Sequence, residues 1–256
     1  MPFTISHAVI APPLSKLSGN RLPIAGLAIG SMTPDLYRLF TVHEFTISHQ
    51  WQGLFFPNLF IGLGFCLLWY LLYRPLFLRF LNLNKPLNLI SLQQKVTFFV
   101  YLNISILIGI ATHLIWDGLT HVDFRTFAFR DFLSQTIMIY QHQYPLHKVL
   151  QIGSSIIVLP IMLWMMVHYY QKYRSSFNAN KPTQYFTYLI LFISIFVGLY
   201  KYISFAQGLG AAPWNADLYS FIGRSVNQFA QGFLMSFTFG CLIYRVLIYL
   251  NLIFDE

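Results

Sequence analysis

Residues 96–116 read VTFFVYLNISILIGIATHLIW, an apolar run without Lys, Arg, Asp or Glu. A transmembrane α-helix needs about 20 consecutive, mostly apolar residues. Four other segments come close to this length and composition, and none has Lys or Arg in its central portion. They are Gly53–Tyr73, Ser154–Tyr170, Phe186–Ile203 and Phe229–Leu250. The sequence therefore predicts about five transmembrane helices.

The composition of the whole chain agrees with membrane insertion. Of its 256 residues, 56% are hydrophobic and 9% are charged, and the mean hydropathy is +0.57. Soluble domains carry about 25% charged residues, so this chain has too little charge to cover a soluble surface. The expected fold class is all-α: a polytopic membrane helix bundle, forming a single membrane domain over residues 1–256.

A shorter apolar segment, Leu22–Met32, lies near the N-terminus. It is too short to span a bilayer, and it is bracketed by Pro23 and by Pro34, which should end or turn the helix. We expect a short re-entrant or interfacial helix that packs against other helices. Gly26 and Gly30 form a G-x-x-x-G spacing that would permit such close packing.

The charges in the loops predict the orientation in the membrane. The loops between the first and second spans, and between the third and fourth, are purely basic. Their basic residues are Arg74, Arg79, Lys85, Lys95, Lys172, Arg174 and Lys181. The positive-inside rule places these loops in the cytoplasm, and the other loops and the N-terminal region outside. The net charge of +8 is thus a topology and lipid signal, and no nucleic-acid partner is expected.

Two further features concern processing and redox chemistry. The N-terminal residues lack the basic and apolar regions of a cleavable signal peptide, so we expect Met1–Glu256 to be the working protein. Cys66 and Cys241 both lie in apolar runs. They are expected to be packing residues, because they form neither a disulfide framework nor a cysteine zinc motif.

The most informative motif is Thr112-His113-Leu-Ile-Trp-Asp117-Gly-Leu-Thr-His121 at the end of the second span. On a continuous helix, residues at i, i+4 and i+8 share one face. Imidazole and carboxylate groups spaced in this way can bind a divalent metal. The alternative is a structural His–Asp hydrogen bond at a helix end.

Other histidines strengthen the metal hypothesis. The pentapeptide Phe-Thr-Ile-Ser-His occurs twice, ending at His7 and at His49, and four of the eight histidines follow Ser or Thr. A neighbouring hydroxyl can hold a metal-bound imidazole in place. Ionisable groups beside membrane helices are functional candidates. In contrast, His43, His142 and His168 are expected to be interfacial or solvated.

Further polar residues lie in the same half of the chain. Asp35 could add a carboxylate to a mixed nitrogen and oxygen site, although a lone Asp there could also be a helix cap. His147 and Gln151 form an i, i+4 pair, in which Gln151 suits a substrate or supporting contact. Arg125 and Arg130 could bind a phosphate or could be solvated loop charges.

At these residues the chain resembles a bacterial membrane family of unknown function, over roughly residues 1–155. The resemblance lies in ordered motifs: Pro2–His7, Leu22–Asp35, Ser48–Phe55, Thr112–His121 and Pro145–Gln151. This family is in turn similar to inner-membrane metal-dependent hydrolases and, more distantly, to zinc-dependent phospholipase C. The remaining residues, 156–256, are expected to add transmembrane helices.

The resemblance implies a set of metal ligands and a chemistry. The ligand order implied is His7, Asp35, His49, His113 and Asp117, with His121 and His147 as further ligands. It also implies a divalent metal cofactor, with zinc as the expected ion and one or two ions bound. Where the phospholipases have an H-x-x-x-E pair, this chain has His147 and Gln151, which argues against a full trinuclear site.

The function expected from these observations is metal-dependent hydrolysis of a phosphoester, with Asp35 or Asp117 as the base. A location in the bacterial inner membrane, with the site on the extracytoplasmic side, would suit a lipid-linked substrate. The alternatives are metal binding or transport without hydrolysis, a b-type haem protein and a structural polar network. The sequence leaves the oligomeric state open.

Overall fold

The computed structural model describes residues 4–41, 45–175, 181–209, 218–250 and 252. His43 lies outside these residues. The described chain is mainly helical, with one two-stranded sheet. Its helices are α1 (Ala11–Leu17), α2 (Ile24–Leu36), α3 (Phe60–Leu68), α4 (Arg74–Phe80), α5 (Leu92–Thr120), α6 (Arg130–Leu133), α7 (Leu146–Tyr173), α8 (Lys181–Leu209) and α9 (Leu218–Tyr249). Strands β1 (Thr136–Ile139) and β2 (His142–Pro145) form an antiparallel hairpin.

In the described part of the chain, five helical segments are long and apolar enough to cross a membrane, as predicted. They are Trp51–Phe80, Leu92–Thr120, Leu146–Tyr173, Lys181–Gly208 and Phe221–Tyr249. Each lies over one of the five predicted spans. The third predicted span, Ser154–Tyr170, was short for a bilayer, and the structure lengthens it by beginning the helix at Leu146.

The start of α5 is set by a capping box. The Ser91 hydroxyl accepts a hydrogen bond from the backbone N–H of Gln94, and the Gln94 side chain accepts one from the backbone N–H of Ser91. Such a pair satisfies two N–H groups that would otherwise lack partners at the helix start. The helix therefore begins before the apolar run and carries it unbroken to Thr120.

The first span is less regular than the others. A 3-10 turn at Trp51–Gly53 leads into a π-helical segment, Leu54–Leu59, in which Phe56 has extended backbone angles. The span then continues through α3, a second π-helical segment at Trp69–Tyr73, and α4. Helical distortions of this kind often occur near functional sites.

The short N-terminal helix α2 packs along the central part of α5. A Cβ added at Gly30 would lie 2.4 Å from the carbonyl oxygen of Ile106, and one added at Gly109 would lie 2.4 Å from that of Leu27. The two backbones thus meet where both helices lack side chains, as the G-x-x-x-G spacing predicts. With only 13 residues, α2 is too short to span a bilayer, and its choice between a re-entrant and an interfacial position stays a prediction.

The C-terminal end of α2 differs from the prediction. Pro34 was expected to end or turn the helix, but the helix passes through Pro34 to Leu36. A proline near the last turn removes one backbone hydrogen bond, and this helix ends two residues later. The extra turn carries Asp35 into the protein interior, where it is 5% exposed.

The described chain forms two compact units. The first consists of the described parts of residues 1–37, 43–66 and 88–167, and the second of those of residues 38–42, 67–87 and 168–256. In the second unit, α8 packs on α9 around a core that includes Tyr73, Leu76 and Tyr244. All the candidate ligands lie in the first unit. The single membrane domain, with the site in residues 1–155, stays a prediction.

Candidate metal centre

Five of the seven predicted ligands come together in the first unit. A 3-10 turn at Thr4–Ile10 supplies His7, and a second one at Thr46–His49 supplies His49. The end of α2 supplies Asp35, and the last two turns of α5 supply His113 and Asp117. Each of these five residues is buried, with at most 8% of its surface exposed. We refer to these five residues as the His–Asp cluster.

Two trios within the cluster have the spacing of metal ligands. His7, Asp35 and His113 each offer a ligand atom within 4.8 Å of the other two, and so do His49, His113 and Asp117. His113 belongs to both trios. Imidazole nitrogen and carboxylate oxygen are the usual ligands of zinc, and two overlapping trios are compatible with either one ion or two.

The orientation of the His113 ring leaves one nitrogen directed into the cluster. Its Nδ1 atom lies 2.8 Å from the backbone carbonyl oxygen of Ser31. A carbonyl oxygen only accepts hydrogen bonds, so Nδ1 carries the proton, and Nε2 of the neutral ring has a lone pair. That Nε2 atom is buried and has no hydrogen-bond partner among the described residues.

Asp117 faces this nitrogen. Its Oδ2 atom lies 3.5 Å from His113 Nε2, and its Oδ1 atom is also buried without a hydrogen-bond partner in the described chain. If the ring is neutral, a lone pair and a carboxylate oxygen at this separation repel each other, and either a proton on Nε2 or a bound cation between them removes the repulsion. Leaving buried polar atoms unpaired costs about 1–3 kcal/mol each, so a bound cation would stabilise this arrangement.

His49 is held in a similar way. The Ser48 hydroxyl lies 2.9 Å from the Phe45 carbonyl oxygen, to which it donates, and 2.9 Å from His49 Nδ1. Because a hydroxyl has a single proton, it accepts from Nδ1–H. His49 Nε2 faces two carboxylates, with Asp35 Oδ1 at hydrogen-bond distance, 3.2 Å, and Asp117 Oδ2 at 3.9 Å.

Burial favours the neutral form of the His7 and His49 imidazoles. Desolvation lowers the pKa of His7 to about 3, and it also lowers the pKa of His49 below the usual value for histidine. A charged imidazole loses more hydration on burial than a neutral one. Near neutral pH both rings are therefore uncharged, which is the form of imidazole that binds a metal ion.

The remaining two members of the cluster are fixed by their neighbours. The His7 ring stacks on His113, with the ring centroids 4.1 Å apart, and its edge contacts Trp116. The Thr4 hydroxyl donates to Asp35 Oδ2 at 2.8 Å. The first Phe-Thr-Ile-Ser-His repeat thus contributes both a candidate ligand and the donor that orients a second one.

His121 lies next to the cluster but outside both trios. It follows the last residue of α5, and its Nδ1 atom is 3.1 Å from the Asp117 carbonyl oxygen and 3.7 Å from Asp117 Oδ1. Its Nε2 atom is 2.6 Å from Gln151 Nε2, which donates to it. Desolvation lowers the pKa of His121 to about 4. Both ring nitrogens thus have protein partners, which fits a residue that positions Asp117.

The structure does not bring His147 or Arg130 into the cluster. His147 is half-buried, and its Nδ1 atom lies 3.3 Å from the Leu133 carbonyl oxygen at the end of α6. Arg130 is exposed at the start of α6. Their proposed roles in metal and substrate binding stay predictions. Gln151 is buried and contacts His121, as expected for a supporting residue.

Arg125, in contrast, reaches the cluster. Its Nη1 atom lies 3.2 Å from Asp117 Oδ2, while its Nε atom donates to both carboxylate oxygens of Asp123. Its side chain is largely buried, with 14% exposed. The guanidinium therefore bridges an inner carboxylate and an outer one, at the edge of the cluster.

Several residues that support the His–Asp cluster were not predicted from the sequence. The Ser31 carbonyl cannot be found from a side-chain pattern, because any residue supplies one. Asn58 donates to the Ser48 carbonyl at 2.7 Å from within the first span, and a polar residue inside an apolar run could have drawn attention to it. Thr4 could have been found as part of the repeated pentapeptide.

The hydroxyls that precede the histidines do not all play the supporting role expected of them. Ser48 and Thr120 contact the following imidazole, at 2.9 Å and 3.3 Å. Ser6 and Thr112 instead donate to backbone carbonyls, at 3.4 Å and 2.6 Å. Two of the four hydroxyls thus contact the following imidazole, and their support of a metal-bound ring stays a prediction.

The Ser48 contact has a testable consequence for metal affinity. Replacing Ser48 with Ala removes the acceptor for His49 Nδ1–H, and loss of such a supporting contact lowers metal affinity about 10- to 100-fold. Thr112→Val provides a matched control, since it removes a hydroxyl next to His113 that bonds to the backbone. Zinc titration of both purified variants checks this, and equal affinities would argue against a role for Ser48.

Taken together, the fold and the cluster define an integral membrane protein of five apolar spanning helices that buries a group of possible metal ligands. The chain belongs to the family described as a domain of unknown function, DUF4184, which matches residues 1–246. No curated protein and no solved structure matches it.

Proposed function

We propose that this protein is a metal-dependent hydrolase of the membrane, which binds one or two zinc-type ions in the His–Asp cluster and cleaves a phosphoester. The observation that carries the proposal is the pair of buried atoms His113 Nε2 and Asp117 Oδ1, which have no hydrogen-bond partner among the described residues. Buried polar atoms without a partner are rare in proteins, and a bound ion would explain these two. The overlapping trios around His113 supply enough nitrogen and oxygen atoms for such an ion.

The residues of the chain suit hydrolysis as well as binding. A bound divalent ion would lower the pKa of a water molecule to about 7 and stabilise charge on a phosphoryl oxygen. Asp35, which receives a hydrogen bond from Thr4 on one oxygen, would accept the proton of that water through the other. Asp117 belongs to the second trio, with His49 and His113, and is the alternative base.

Arg125 would bind the substrate in this proposal. Its guanidinium lies beside Asp117 at the edge of the cluster, where a phosphoryl group bound next to the metal would meet it. Guanidinium groups form paired hydrogen bonds with phosphate oxygens. The Asp123 carboxylate, which holds the same guanidinium, would keep it in place before the substrate arrives.

The side of the membrane follows from the charges of the loops. The purely basic loops next to the start of α5 and the end of α7 would face the cytoplasm. The opposite ends of these two helices, where Asp117 and Gln151 lie, would then face outward. We therefore place the site on the extracytoplasmic side of a bacterial inner membrane, at the depth of a lipid head group.

The metal content of the purified protein tests the proposal. Wild-type protein in detergent is expected to contain about one or two equivalents of zinc or a similar ion, measured by mass spectrometry. A His113→Ala/Asp117→Ala variant should lose the ion. A His142→Ala/Asp131→Ala variant is the matched control, because it removes one imidazole and one carboxylate that are exposed.

Either of two results would contradict the proposal: no metal in wild-type protein after reconstitution, or the same metal content in both double variants. With either result, the His–Asp cluster would be a structural polar network. Circular dichroism of each preparation checks that the protein is folded.

Metal binding without hydrolysis is the second candidate function, and one observation favours it. Gln151 donates to His121 where a carboxylate would add a further metal ligand. A site with fewer acidic ligands could hold an ion without turning over a substrate. Stoichiometric metal without hydrolysis of any phosphoester would support this alternative.

A further inference from the structure

The connection between α5 and α7 exposes an unusual amount of apolar surface. We call residues 121–145 the interfacial segment; it contains α6 and the β1–β2 hairpin. Eight of its large apolar side chains are more than a third exposed. They are Phe124 (53%), Phe127 (55%), Phe129 (71%), Phe132 (53%), Met138 (67%), Ile139 (38%), Tyr140 (95%) and Tyr144 (43%).

These side chains do not belong to the membrane-spanning helices, where exposure to lipid is expected. In water, a cluster of exposed aromatic rings is unfavourable and marks an interaction surface. Six of the eight are Phe or Tyr. Tyr is enriched where membrane and water meet, and Phe-rich apolar faces bury themselves in the same layer.

Both ends of the interfacial segment are anchored at the membrane. It begins directly after the span that ends at Thr120 and finishes directly before the one that begins at Leu146. The strands of its hairpin have four residues each and so extend about 13 Å. The whole segment therefore stays close to the boundary between lipid and water.

Contacts with α7 fix the base of the segment. The Leu146 N–H donates to the Gln135 carbonyl oxygen at 2.8 Å, and His147 Nδ1 donates to the Leu133 carbonyl oxygen at 3.3 Å. Leu133 itself is buried, at 2% exposed. The segment thus turns one apolar residue inward while the aromatic residues around it point outward.

The exposed aromatic surface extends to the His–Asp cluster. The Phe127 ring packs directly on Gly118, since a Cβ added there would lie 2.1 Å from it, and Gly118 follows Asp117. The Phe124 ring centroid is 5.7 Å from the Arg125 guanidinium carbon, and Arg125 in turn contacts Asp117. The exposed aromatic side chains therefore contact both the Arg125 guanidinium and the residue next to Asp117, and Arg125 contacts the His–Asp cluster.

We propose that the interfacial segment inserts its aromatic side chains into the lipid–water interface, and that the protein therefore takes its substrate from the membrane as an amphiphile. The chemical class is a phosphoester with a lipid tail: the tail stays in the bilayer beside Phe124 and Phe127, and the phosphoryl group reaches Arg125. The substrate part rests on the proposed function, whereas the contact with lipid does not.

The contact with lipid is tested by a label on the hairpin. In a Cys66→Ser/Cys241→Ser background, a Met138→Cys variant is labelled with an environment-sensitive fluorophore and reconstituted in phosphatidylglycerol/phosphatidylcholine nanodiscs. Quenching by lipids that carry a nitroxide near the head group, together with protection from aqueous iodide, is expected. Strong quenching by iodide alone would place the hairpin in water and overturn the proposal.

A second copy of the chain is the competing occupant of this surface. Protection of the label from both quenchers, with a dimeric mass by native mass spectrometry, would show that protein rather than lipid covers the aromatic residues. That result would also overturn the proposal. A monomer whose label is reached by the lipid quencher supports it.

The substrate class is tested by kinetics with two probes. A Phe129→Ser/Phe132→Ser variant, which removes two exposed rings that do not contact Arg125, is expected to raise the KM for a fluorescent phospholipid about tenfold and to leave hydrolysis of water-soluble bis(p-nitrophenyl) phosphate unchanged. Phe192→Ser/Phe196→Ser is the matched control, because it removes two exposed aromatic rings from α8 and should leave the KM for both probes unchanged.

The outcomes separate the two proposals. Equal losses with both probes would overturn the amphiphilic substrate. Hydrolysis of neither probe by wild-type protein would overturn the proposed function and the substrate class, while quenching by lipid would still establish the insertion of the segment.

Discussion

Metal-free protein carrying Asp117→Asn is expected to be at least as stable as metal-free wild type, and it should gain less stability from zinc than wild type does. In wild type, the Asp117 carboxylate faces the lone pair of His113 Nε2 at 3.5 Å, and a neighbouring His49 nitrogen lies 3.9 Å from the same oxygen. An amide would relieve this repulsion, because its N–H can donate to His113. Arg125 would keep its contact with Asp123.

Zinc is expected to stabilise the wild-type protein against unfolding. An ion that binds only the folded state, at about a thousand times its dissociation constant, raises the free energy of unfolding by about 4 kcal/mol. Unfolding in detergent with a chelator measures the stability of the metal-free proteins, and unfolding with added zinc measures the gain in stability from the metal. Asp131→Asn is the control, since this acid is exposed and its loss should leave the response to zinc intact.

The sign of the Asp117→Asn effect separates metal binding from a purely structural network. If Asp117 served only to pair with a charged imidazole, its replacement would leave that charge buried and alone. Removal of one partner of a buried ion pair destabilises proteins by about 3–5 kcal/mol. Such a loss, in a wild-type protein indifferent to zinc, would contradict the proposed metal site.

Replacing Asp35 with Asn is expected to separate catalysis from metal binding. If Asp35 accepts the proton of the attacking water, kcat for bis(p-nitrophenyl) phosphate should fall about 10²- to 10⁴-fold, because an amide cannot take up the proton. Asp35 belongs to one of the two trios, so the variant keeps His49, His113 and Asp117. It should therefore retain at least half of the metal.

Asp117→Asn removes the carboxylate of the other trio and leaves His7, Asp35 and His113, so it should also keep part of the metal, and the two variants are compared by rate and zinc content in the same preparations. Asp131→Asn again provides the reference for a neutralised carboxylate. An Asp35→Asn enzyme within threefold of the wild-type rate would exclude Asp35 as the base and leave that role to Asp117.

Much of the fold follows from one property of the sequence, the length of its apolar runs. Burying the backbone in lipid requires helices, so five such runs predict five spans. The ends of the spans could not be located in this way. The helix that starts at Leu92 begins at the Ser91 capping box, in a polar stretch whose helical structure is independent of hydropathy.

The candidate site was predictable to the extent that its residues share a helix or a motif. His113 and Asp117 lie one turn apart on α5, so their spacing alone indicates that they face the same way. The joining of His7, His49 and Asp35 to this pair depends on tertiary packing; the repeated pentapeptide, the chemistry of the side chains and the resemblance to a family suggested it. Hydropathy and spacing say nothing of such distant contacts.

Arg125 and Arg130 show where sequence reasoning reaches its limit. Both lie in the same connection, five residues apart, and the pattern treats them alike. The structure separates them because the backbone after Asp117 turns at His121 and directs Arg125 back to the carboxylate, while Arg130 starts an exposed helix. Similarly, His121 leaves the helical face that its i+8 position predicts, because α5 ends at Thr120.

The contact between the Ser31 carbonyl and the His113 ring has a consequence for how the protein is made. Since α2 orients an imidazole that lies 82 residues further along the chain, α1 and α2 are synthesised before their partner on α5. The proposed metal site would therefore be complete only after α5 has formed, which would make metal loading a late step in the biogenesis of the protein.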